Sequence, residues 1–364
     1  MQIPLFEPIS KWTPPAILPN LDTVISIDLE TQDPNIKTLG PGYKRLDGKV
    51  VGVALADKNT QVYLPFGHLG GDNLDKDIVI SYVKQSVKGA DEIIMANATY
   101  DLGWLETLGV RVSCPVRDVQ VAEALIDEEK YTYSLDSISK KYLKKGKKED
   151  GLKQAADMYE VLTKSEMWKL PARHVGKYAE ADARLTYDVY QHQIPILKQQ
   201  ELWTVWELEC ELIPVLVYMS RQGVPVDLDA AEQLNNDLKI KESALLKEFK
   251  HLDIWSPQQL GKYCESLNLK VPRTEKGNYS VSKDFLNTCE HPEVKKIQEV
   301  RSINRLRKVF VEDIILKQNH NGRIHADFRQ TASDEGGTRS GRLSSSNPNM
   351  QQVPKRSDIG KRIR

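Results

Sequence analysis

Two carboxylates in the first apolar stretch of the chain have a spacing that suits metal chemistry. Asp28 and Glu30 are separated by one residue in a run rich in Val, Ile and Leu, which predicts a strand over residues 23–30. Because side chains alternate across a strand, the two carboxylates share one face. Like charges on one face repel unless water or a bound cation screens them. The pair is a candidate metal site, although an exposed acidic strand edge has the same pattern.

Polar residues that could join such a site stand at two other places in the chain. Asn97, Tyr100 and Asp101 follow an apolar run, where a strand ends and a helix begins. Tyr178 and Asp182 have the i, i+4 spacing that puts them on one face of a helix. Each place also has an ordinary explanation, because the helix dipole favours an aspartate in a first turn and Tyr/Asp pairs are common on helix surfaces.

The elements that would position these residues are typical of an α/β domain. Apolar, β-branched runs predict strands over residues 23–30, 50–55, 61–65 and 92–96, the first three as a meander at the edge of a mixed sheet. Helical periodicity predicts helices over residues 77–87 and 173–200. The candidate residues would then lie on a strand, at a strand-to-helix junction and on a long helix.

The pattern changes after Pro195, because strand signals nearly vanish. Helical spacing predicts helices over residues 202–221, 229–251, 257–266 and 291–318. From residue 319 onward the chain is rich in Gly, Ser, Asn, Thr and Arg, too polar for a core of its own. We therefore predict three parts, comprising residues 1–200, 201–318 and 319–364.

Charge is distributed unevenly along the 364 residues. The whole chain has 51 Lys and Arg against 51 Asp and Glu, which alone would argue against a polyanionic partner. Residues 301–364 hold 14 of the basic and 6 of the acidic residues, a local charge of +8 that leaves −8 for residues 1–300. This asymmetry indicates a polyanion-binding end attached to an acidic body.

Composition also excludes several classes of protein. Mean hydropathy is −0.48, and no apolar run approaches the roughly 20 residues of a spanning helix. The N-terminus lacks the pattern of a signal peptide, so the default expectation is a cytosolic protein. The four cysteines are far apart without metal-ligand spacing, which favours neither a disulfide framework nor a zinc site.

Each of two basic segments can be interpreted either as solvent-exposed chain without a specific function or as a nucleic-acid contact. Residues 331–364 place Arg and Lys among Ser, Asn and Gln, which suits either a disordered tail or a surface that contacts phosphates and groove edges. The six lysines between Lys140 and Lys148 form either a solvated loop or a guide for a single strand. Trp203 and Trp206 are more typical of a core than of a base-stacking platform.

The order of the three acidic motifs resembles a known family. D-x-E on the first strand, N-x-x-Y-D at the junction and Y-x-x-x-D on the helix resemble the DEDDy class of 3′-5′ exonuclease domain in proofreading family A DNA polymerases, the bacterial polymerase I type. The resemblance covers about residues 20–200 and implies a ribonuclease H-like mixed-sheet fold. It implies that the metal ligands are Asp28, Glu30, Asp101 and Asp182. Asn97 and Tyr100 would contact DNA.

The chemistry of this family explains the residue types. Phosphodiester hydrolysis needs an activated water and a stabilised leaving oxygen, which two divalent cations roughly 3.5–4 Å apart can supply. Mg²⁺ prefers carboxylate oxygens, and Mn²⁺ is an alternative. Tyr178 would orient the attacking water, because a phenol with an ordinary pKa of about 10 is a poor base.

The basic end resembles the segment that leads into the palm of the same polymerases. The family wording TGRLSS, PNLQNIP and G-x-x-IR corresponds to residues 338–345, 348–354 and 360–364, and residues 230–318 would be the thumb. The resemblance implies contacts to a primer-template duplex from Arg339, Arg342, Asn349, Gln351, Gln352 and Arg356. Arg342 would reach the minor groove, where acceptors are present at every base pair. Gln352, Met350 and Ser220 depart from the family's asparagine, leucine and acidic residue.

The sequence therefore predicts proofreading 3′-5′ exonuclease action on DNA in a bacterial or phage-infected cell. The chain stops where the family's palm carboxylates would begin, so we expect no nucleotidyl transfer from it alone. It is either a truncation or the partner of a second chain that carries the palm and fingers. Two alternatives remain open. One is a non-catalytic subunit that clasps DNA, and the other is a stand-alone nuclease that trims RNA.

Overall fold

The computed structural model describes residues 9–332 and 337–364. They form two compact units, one comprising the described residues up to Gly223 with those from His325 to Asn349 and the other comprising Val224–Ile324 with Met350–Arg364. Residues 1–8 and 333–336, which belong to the predicted first and third parts, lie outside the described residues. The domain boundaries near residues 200 and 318 stay predictions, because a compact packing unit is not by itself a domain that folds alone.

A five-stranded mixed sheet is the centre of the first unit. The strands are β1 (Val24–Gln32), β2 (Lys49–Ala56), β3 (Gln61–Pro65), β4 (Glu92–Met95) and β5 (Val116–Asp118), in the spatial order β3-β2-β1-β4-β5. β1, β2 and β3 are antiparallel neighbours, whereas β4 and β5 run parallel to β1. The predicted α/β class and the mixed sheet with its meander are confirmed. β5 was not predicted, because three residues are too few for a periodic signal.

Eight helices accompany this sheet in the described part of the first unit. They are α1 (Ile36–Leu39), α2 (Lys76–Gly89), α3 (Ala98–Thr107), α4 (Val119–Ile126), α5 (Leu135–Leu143), α6 (Asp150–Met158), α7 (Ala172–Gln199) and α8 (Trp203–Gln222). Short 3₁₀ turns lie at Gly42–Lys44 and Met167–Lys169. The unit also contains a small hairpin made from β9 (Asp327–Arg329) and β10 (Ser344–Ser346).

The two faces of β1 have different neighbours. Ile25, Ile27 and Leu29 belong to an apolar core with residues of α2 and α3. On the opposite face the Ser26 hydroxyl donates to the Ala183 carbonyl of α7 at 2.7 Å. Alternation along the strand therefore aims Asp28 and Glu30 towards α7.

Helix α8 packs against the sheet of the first unit. Trp206 is fully buried, and its indole N–H donates to the Asp118 carbonyl at 3.1 Å. The Arg117 guanidinium lies 5.5 Å and 5.2 Å from the ring centroids of Trp203 and Trp206. These indoles therefore hold α8 in place, which agrees with their interpretation as core residues.

The second unit is mainly helical, as predicted. Its elements are β6 (Val224–Pro225), α9 (Leu228–Leu246), α10 (Pro257–Ser266), α11 (Lys283–Thr288), α12 (Pro292–Arg305), a π-helix (Leu306–Leu316), β7 (Asn319–His320), β8 (Arg323–Ile324) and α13 (Asp358–Ile363), with 3₁₀ turns at Lys247–Phe249 and Met350–Gln352. Two apolar clusters form its core, one around Leu234, Phe310 and Ile324 and the other around Leu260 and Ile297. In neither described segment is a helix both long and apolar enough to span a bilayer.

A buried histidine links β3 to the turn before α7. The His68 Nδ1–H donates to the Leu170 carbonyl at 3.0 Å, because a carbonyl only accepts, and the Tyr63 hydroxyl donates to His68 Nε2 at 2.6 Å. Burial lowers the pKa of His68 to about 4. Because this pKa is below the usual 6.5, the neutral ring stabilises the fold above pH 6.5, and that contribution is lost as the pH falls towards 4.

We expect the stability difference between the wild type and His68→Phe to shrink on acidification. Between pH 7.5 and pH 4.5 the wild type should lose about 2–3 kcal/mol more unfolding free energy than the variant, which has no ring to protonate. Urea denaturation of both proteins at the two pH values measures this difference. Parallel pH dependences would show that His68 is not held neutral.

Candidate active site

Asp28 and Glu30 lie side by side on β1, as the strand pattern predicts. Their cross-strand partners on β2 are the small residues Ala54 and Gly52, and the Tyr63 phenol of β3 occupies the space that a side chain at Gly52 would need. Glu30 is buried and Asp28 half-buried. The register of β1 against β2 shifts directly after Glu30, so an irregularity in the pairing follows the second carboxylate.

A tight junction between β4 and α3 positions Asp101. Asn97 is left-handed, with φ 68° and ψ 56°, a conformation that asparagine tolerates better than most residues. The Asp118 carboxylate accepts from the Ala98 N–H at 2.6 Å, which fixes the first turn of α3. Asp101 is then buried next to β1, where the Leu29 backbone N–H lowers the pKa of its carboxyl by less than burial raises it.

The third element is α7, which supplies Tyr178 and Asp182 one turn apart. Both side chains are buried, Tyr178 at 8% and Asp182 at 3% exposure. Residues on the same helix, including Ala179 and Ala183, pack with Ala54 and Tyr63 of the sheet. The face of α7 that carries the tyrosine and the aspartate is therefore the one turned to β1.

The charges of Asp28, Glu30 and Asp182 raise the pKa values of neighbouring carboxyls, so the four acids lie in one region of the first unit. Burial, followed by the charge of Asp182, raises the pKa of Asp28 to about 7. Burial and then Asp28 raise the pKa values of Glu30 and Asp101 well above their usual range. Burial also raises the pKa of Asp182, although Lys147 opposes it. Close, partly desolvated carboxylates of this kind are typical of catalytic and metal sites.

Lys147 belongs to this cluster, and sequence reasoning missed it. Its ammonium donates to Asp182 Oδ2 at 2.5 Å and to the Tyr178 hydroxyl at 3.3 Å. Burial lowers its pKa, but Asp182 and then Asp28 raise it by more, so the net pKa is above the usual value. The sequence shows only a run of lysines, and no periodicity distinguishes the one that points inward.

The donor set suits divalent cations, but its present packing does not form a finished cage. Four carboxylates are the hard oxygen ligands that Mg²⁺ and Mn²⁺ take. Asp182 Oδ1 is buried and has no hydrogen-bond partner within the described residues, so it is an available ligand atom. As they stand, no three His, Cys, Asp or Glu side chains of residues 9–332 and 337–364 are grouped to hold a metal ion. The residues fit the ions chemically, provided that Lys147 leaves Asp182.

Asn97 and Tyr100 line a cavity whose wall includes Asp118 but none of the four candidate ligands. The cavity measures about 840 Å³ and also receives Tyr133 and residues 327–332 of the same unit. The Tyr100 hydroxyl is 2.6 Å from the Thr31 hydroxyl, so its ring is fixed at the cavity wall. A cavity of this size has room for the end of a polymer chain.

The predicted duplex contacts divide between the two compact units. Arg339 and Arg342 are exposed and Asn349 is half-buried in the first unit. In the second unit a cavity of about 760 Å³ is lined by Gln351, Gln352 and Arg356, together with Arg301 and Arg305, which sequence reasoning did not single out. The charge count over residues 301–364 includes these two arginines, but it does not show that they line one cavity with Gln351, Gln352 and Arg356.

Two parts of the chain match known protein families. Residues 17–198 match the family described as 3′-5′ exonuclease. Residues 228–364 match the family described as DNA polymerase family A.

Individual relatives are DNA polymerases of phages and bacteria. The chain is 33% identical to a DNA-directed DNA polymerase of Pseudomonas phage M6, over 99% of this chain and 58% of that protein. It is 27% identical to the DNA polymerase DpoZ of Salmonella phage PMBT28, over 94% of this chain and 57% of the relative. DNA polymerase I of Treponema pallidum is also 27% identical, over 75% of this chain and 27% of the relative. The chain thus spans little more than half of the phage relatives.

A solved structure has the same fold. The POL domain of Pol1 from M. smegmatis, in a complex with DNA primer-template and dNTP, superposes with a TM-score of 0.70 at 20% identity. The match covers 94% of this chain and 55% of that one.

Proposed function

The chain belongs to the family A DNA polymerases and carries their 3′-5′ exonuclease domain with part of the polymerase domain, and from this we propose that it hydrolyses the 3′-terminal phosphodiester bond of DNA. The observation that carries the proposal is the cluster of Asp28, Glu30, Asp101 and Asp182, which come from three distant segments and lie beside Tyr178. Placing four acids in one region, three of them buried, is costly unless cations bind there. The three domains proposed for the chain are residues 1–200, 201–318 and 319–364.

The ligands proposed for two divalent cations, Mg²⁺ or Mn²⁺, are the carboxylates of Asp28, Glu30, Asp101 and Asp182. When bound, such cations acidify a water and stabilise the leaving oxygen. The protein contributes fixed positions, because β1, the β4-α3 junction and α7 are packed elements rather than mobile loops. It also contributes a largely water-excluded wall, since Glu30, Asp101 and Asp182 are buried.

Tyr178 is proposed to orient the attacking water. Burial, reinforced by Asp182 and Glu30, raises the pKa of Tyr178 far above its usual value. The phenol therefore keeps its proton at neutral pH and acts as a hydrogen-bonding group, not as a base. Its place on the same face of α7 as Asp182 holds the hydroxyl at the carboxylate cluster.

DNA is the proposed polymer at both ends of the chain. The single-stranded 3′ end would enter the cavity lined by Asn97 and Tyr100. A primer-template duplex would contact the basic C-terminal region through Arg339, Arg342, Asn349, Gln351, Gln352 and Arg356. Arginine, asparagine and glutamine supply the donors that contact phosphates and minor-groove acceptors. The proposed place of action is the cytoplasm of a bacterial or phage-infected cell.

A labelled-strand assay tests the proposal. With 5′-labelled single-stranded DNA and Mg²⁺, the chain should give a ladder that shortens from the 3′ end, and EDTA should abolish the ladder. An RNA strand of the same sequence run in parallel distinguishes DNA proofreading from RNA trimming. Binding of DNA without shortening would instead support a subunit that only clasps DNA.

A further inference from the structure

One lysine of the run between Lys140 and Lys148 is turned into the carboxylate cluster. The Lys147 side chain is 19% exposed, and the side chain of its partner Asp182 is 4% exposed. Its ammonium contacts both α7 residues of the proposed site and lies 5.4 Å from the centre of the Tyr178 ring. This ion pair is mostly removed from water, unlike an ordinary surface lysine.

The loop around Lys147 is built to hold this position. The Asp136 carboxylate at the start of α5 accepts from the Lys147 backbone N–H at 2.8 Å. At Gly146 a Cβ would come within 2.6 Å of the same Asp136 carboxylate, so the close approach needs glycine. The chain is thereby fixed one residue before and at Lys147, while the side chain itself remains a flexible four-carbon stem.

Neighbouring lysines of the run have other partners. Lys140 donates to Asp136 at 2.6 Å, and Lys141 to Glu123 at 2.8 Å. Lys144 donates to the Lys141 carbonyl at 3.1 Å, and Lys148 is exposed. The run therefore does not act as one basic patch, and Lys147 has a separate role.

The position of the ammonium conflicts with metal binding. It takes Asp182 Oδ2, one of the oxygens that the proposed function assigns to a cation, while Oδ1 of the same carboxylate has no hydrogen-bond partner in the described residues. An ammonium and a divalent cation on one carboxylate repel each other strongly in a desolvated site. A cation that binds at the free Oδ1 therefore weakens the ion pair that Lys147 makes at Oδ2.

We propose that Lys147 is an exchangeable counter-ion: it neutralises Asp182 and its neighbouring carboxylates before the cations bind, and it is displaced from Asp182 when they do. The proposal rests on the proposed exonuclease site. It explains how the four acids remain close together before a metal ion binds. It also explains why the ammonium group is supplied by a flexible side chain on a loop rather than by a residue of α7. Lysine suits exchange better than arginine, whose planar fork would bind the carboxylate through two hydrogen bonds.

Titration calorimetry on the full chain measures the Mn²⁺ affinity and shows whether the Lys147 ammonium opposes cation binding. Removing the competing ammonium in Lys147→Met should tighten Mn²⁺ binding about tenfold, whereas Lys147→Arg should weaken it. Lys148→Met, an exposed neighbour on the same loop, is the matched control and should bind as the wild type does. Weaker or unchanged Mn²⁺ binding in Lys147→Met overturns the proposal, because it is what a merely structural lysine predicts.

A second measurement uses the wild type and avoids any folding defect of a variant. Amine acylation, quantified by mass spectrometry, should modify Lys147 several-fold faster in Mg²⁺ than in EDTA, with Lys148 as an internal standard. Equal rates for Lys147 in both conditions would refute displacement. If the wild type neither binds Mn²⁺ nor degrades DNA, the proposed function itself fails, whereas a wild type that does both, with Lys147 insensitive to metal, refutes only the counter-ion.

Discussion

Replacing Asp28 with alanine is expected to lower Mg²⁺-dependent removal of 3′-terminal nucleotides about a thousandfold, the scale reached when one group that stabilises a transition state is deleted. Asp28 lies on β1, and its charge raises the pKa values of both Glu30 and Asp101. Loss of this oxygen ligand should remove a cation rather than only misplace it. Single-turnover digestion of a 5′-labelled strand gives the rate.

The fold of the variant should survive, which separates chemistry from stability. Because burial and Asp182 raise the pKa of Asp28 to about 7, the ionised carboxylate opposes folding as the pH rises through 7 in the metal-free protein. In EDTA at pH 8, Asp28→Ala should therefore unfold at the same urea concentration as the wild type or at a higher one. Asp188→Ala, a partly exposed carboxylate on α7, is the control and should keep wild-type activity. Full activity in Asp28→Ala would contradict the assignment of Asp28 as a metal ligand.

Local periodicity was sufficient for the parts of the site that lie within regular elements. Alternation along β1 places Asp28 and Glu30 on one face, and the i, i+4 spacing places Tyr178 and Asp182 on one side of α7. Asp101 needed the family resemblance, because a left-handed Asn97 and a cap from Asp118 turn α3 back to β1. Neither contact has a periodic signature in the sequence.

Two features could not be predicted, because long-range packing determines them. Lys147 reaches the cluster from a loop that Asp136 holds through one backbone hydrogen bond, and its five neighbouring lysines look the same in sequence. The basic C-terminal segment reads as one continuous surface in the sequence, yet Asn349 and Gln351 fall in different compact units. Charge counting identifies a polyanion-binding end without showing how the fold partitions it.

Lys44→Ala should cost the first unit about 3–5 kcal/mol of unfolding free energy, the usual result of removing one partner from a buried ion pair. The Lys44 side chain is fully buried and pairs with Asp327, and its ammonium also donates to the His325 carbonyl at 3.1 Å. Asp327 in turn accepts from the Asn347 amide at 2.9 Å. Without Lys44 the carboxylate would keep one neutral donor and no counter-charge.

A double-mutant comparison separates loss of the pair from loss of packing in that region. In Lys44→Met/Asp327→Leu no unpaired charge remains, so the double variant should be more stable than Lys44→Ala, even though it lacks both charged groups. Lys140→Ala, which breaks the exposed Lys140–Asp136 pair of the same unit, should cost about 0.5 kcal/mol. Urea unfolding followed by circular dichroism measures all four proteins. A loss of unfolding free energy in Lys44→Ala as small as that in Lys140→Ala would contradict this prediction. It would mean that water solvates Asp327 once its partner is removed. Packing, rather than this ion pair, would then hold the hairpin of β9 and β10 to the rest of the first unit.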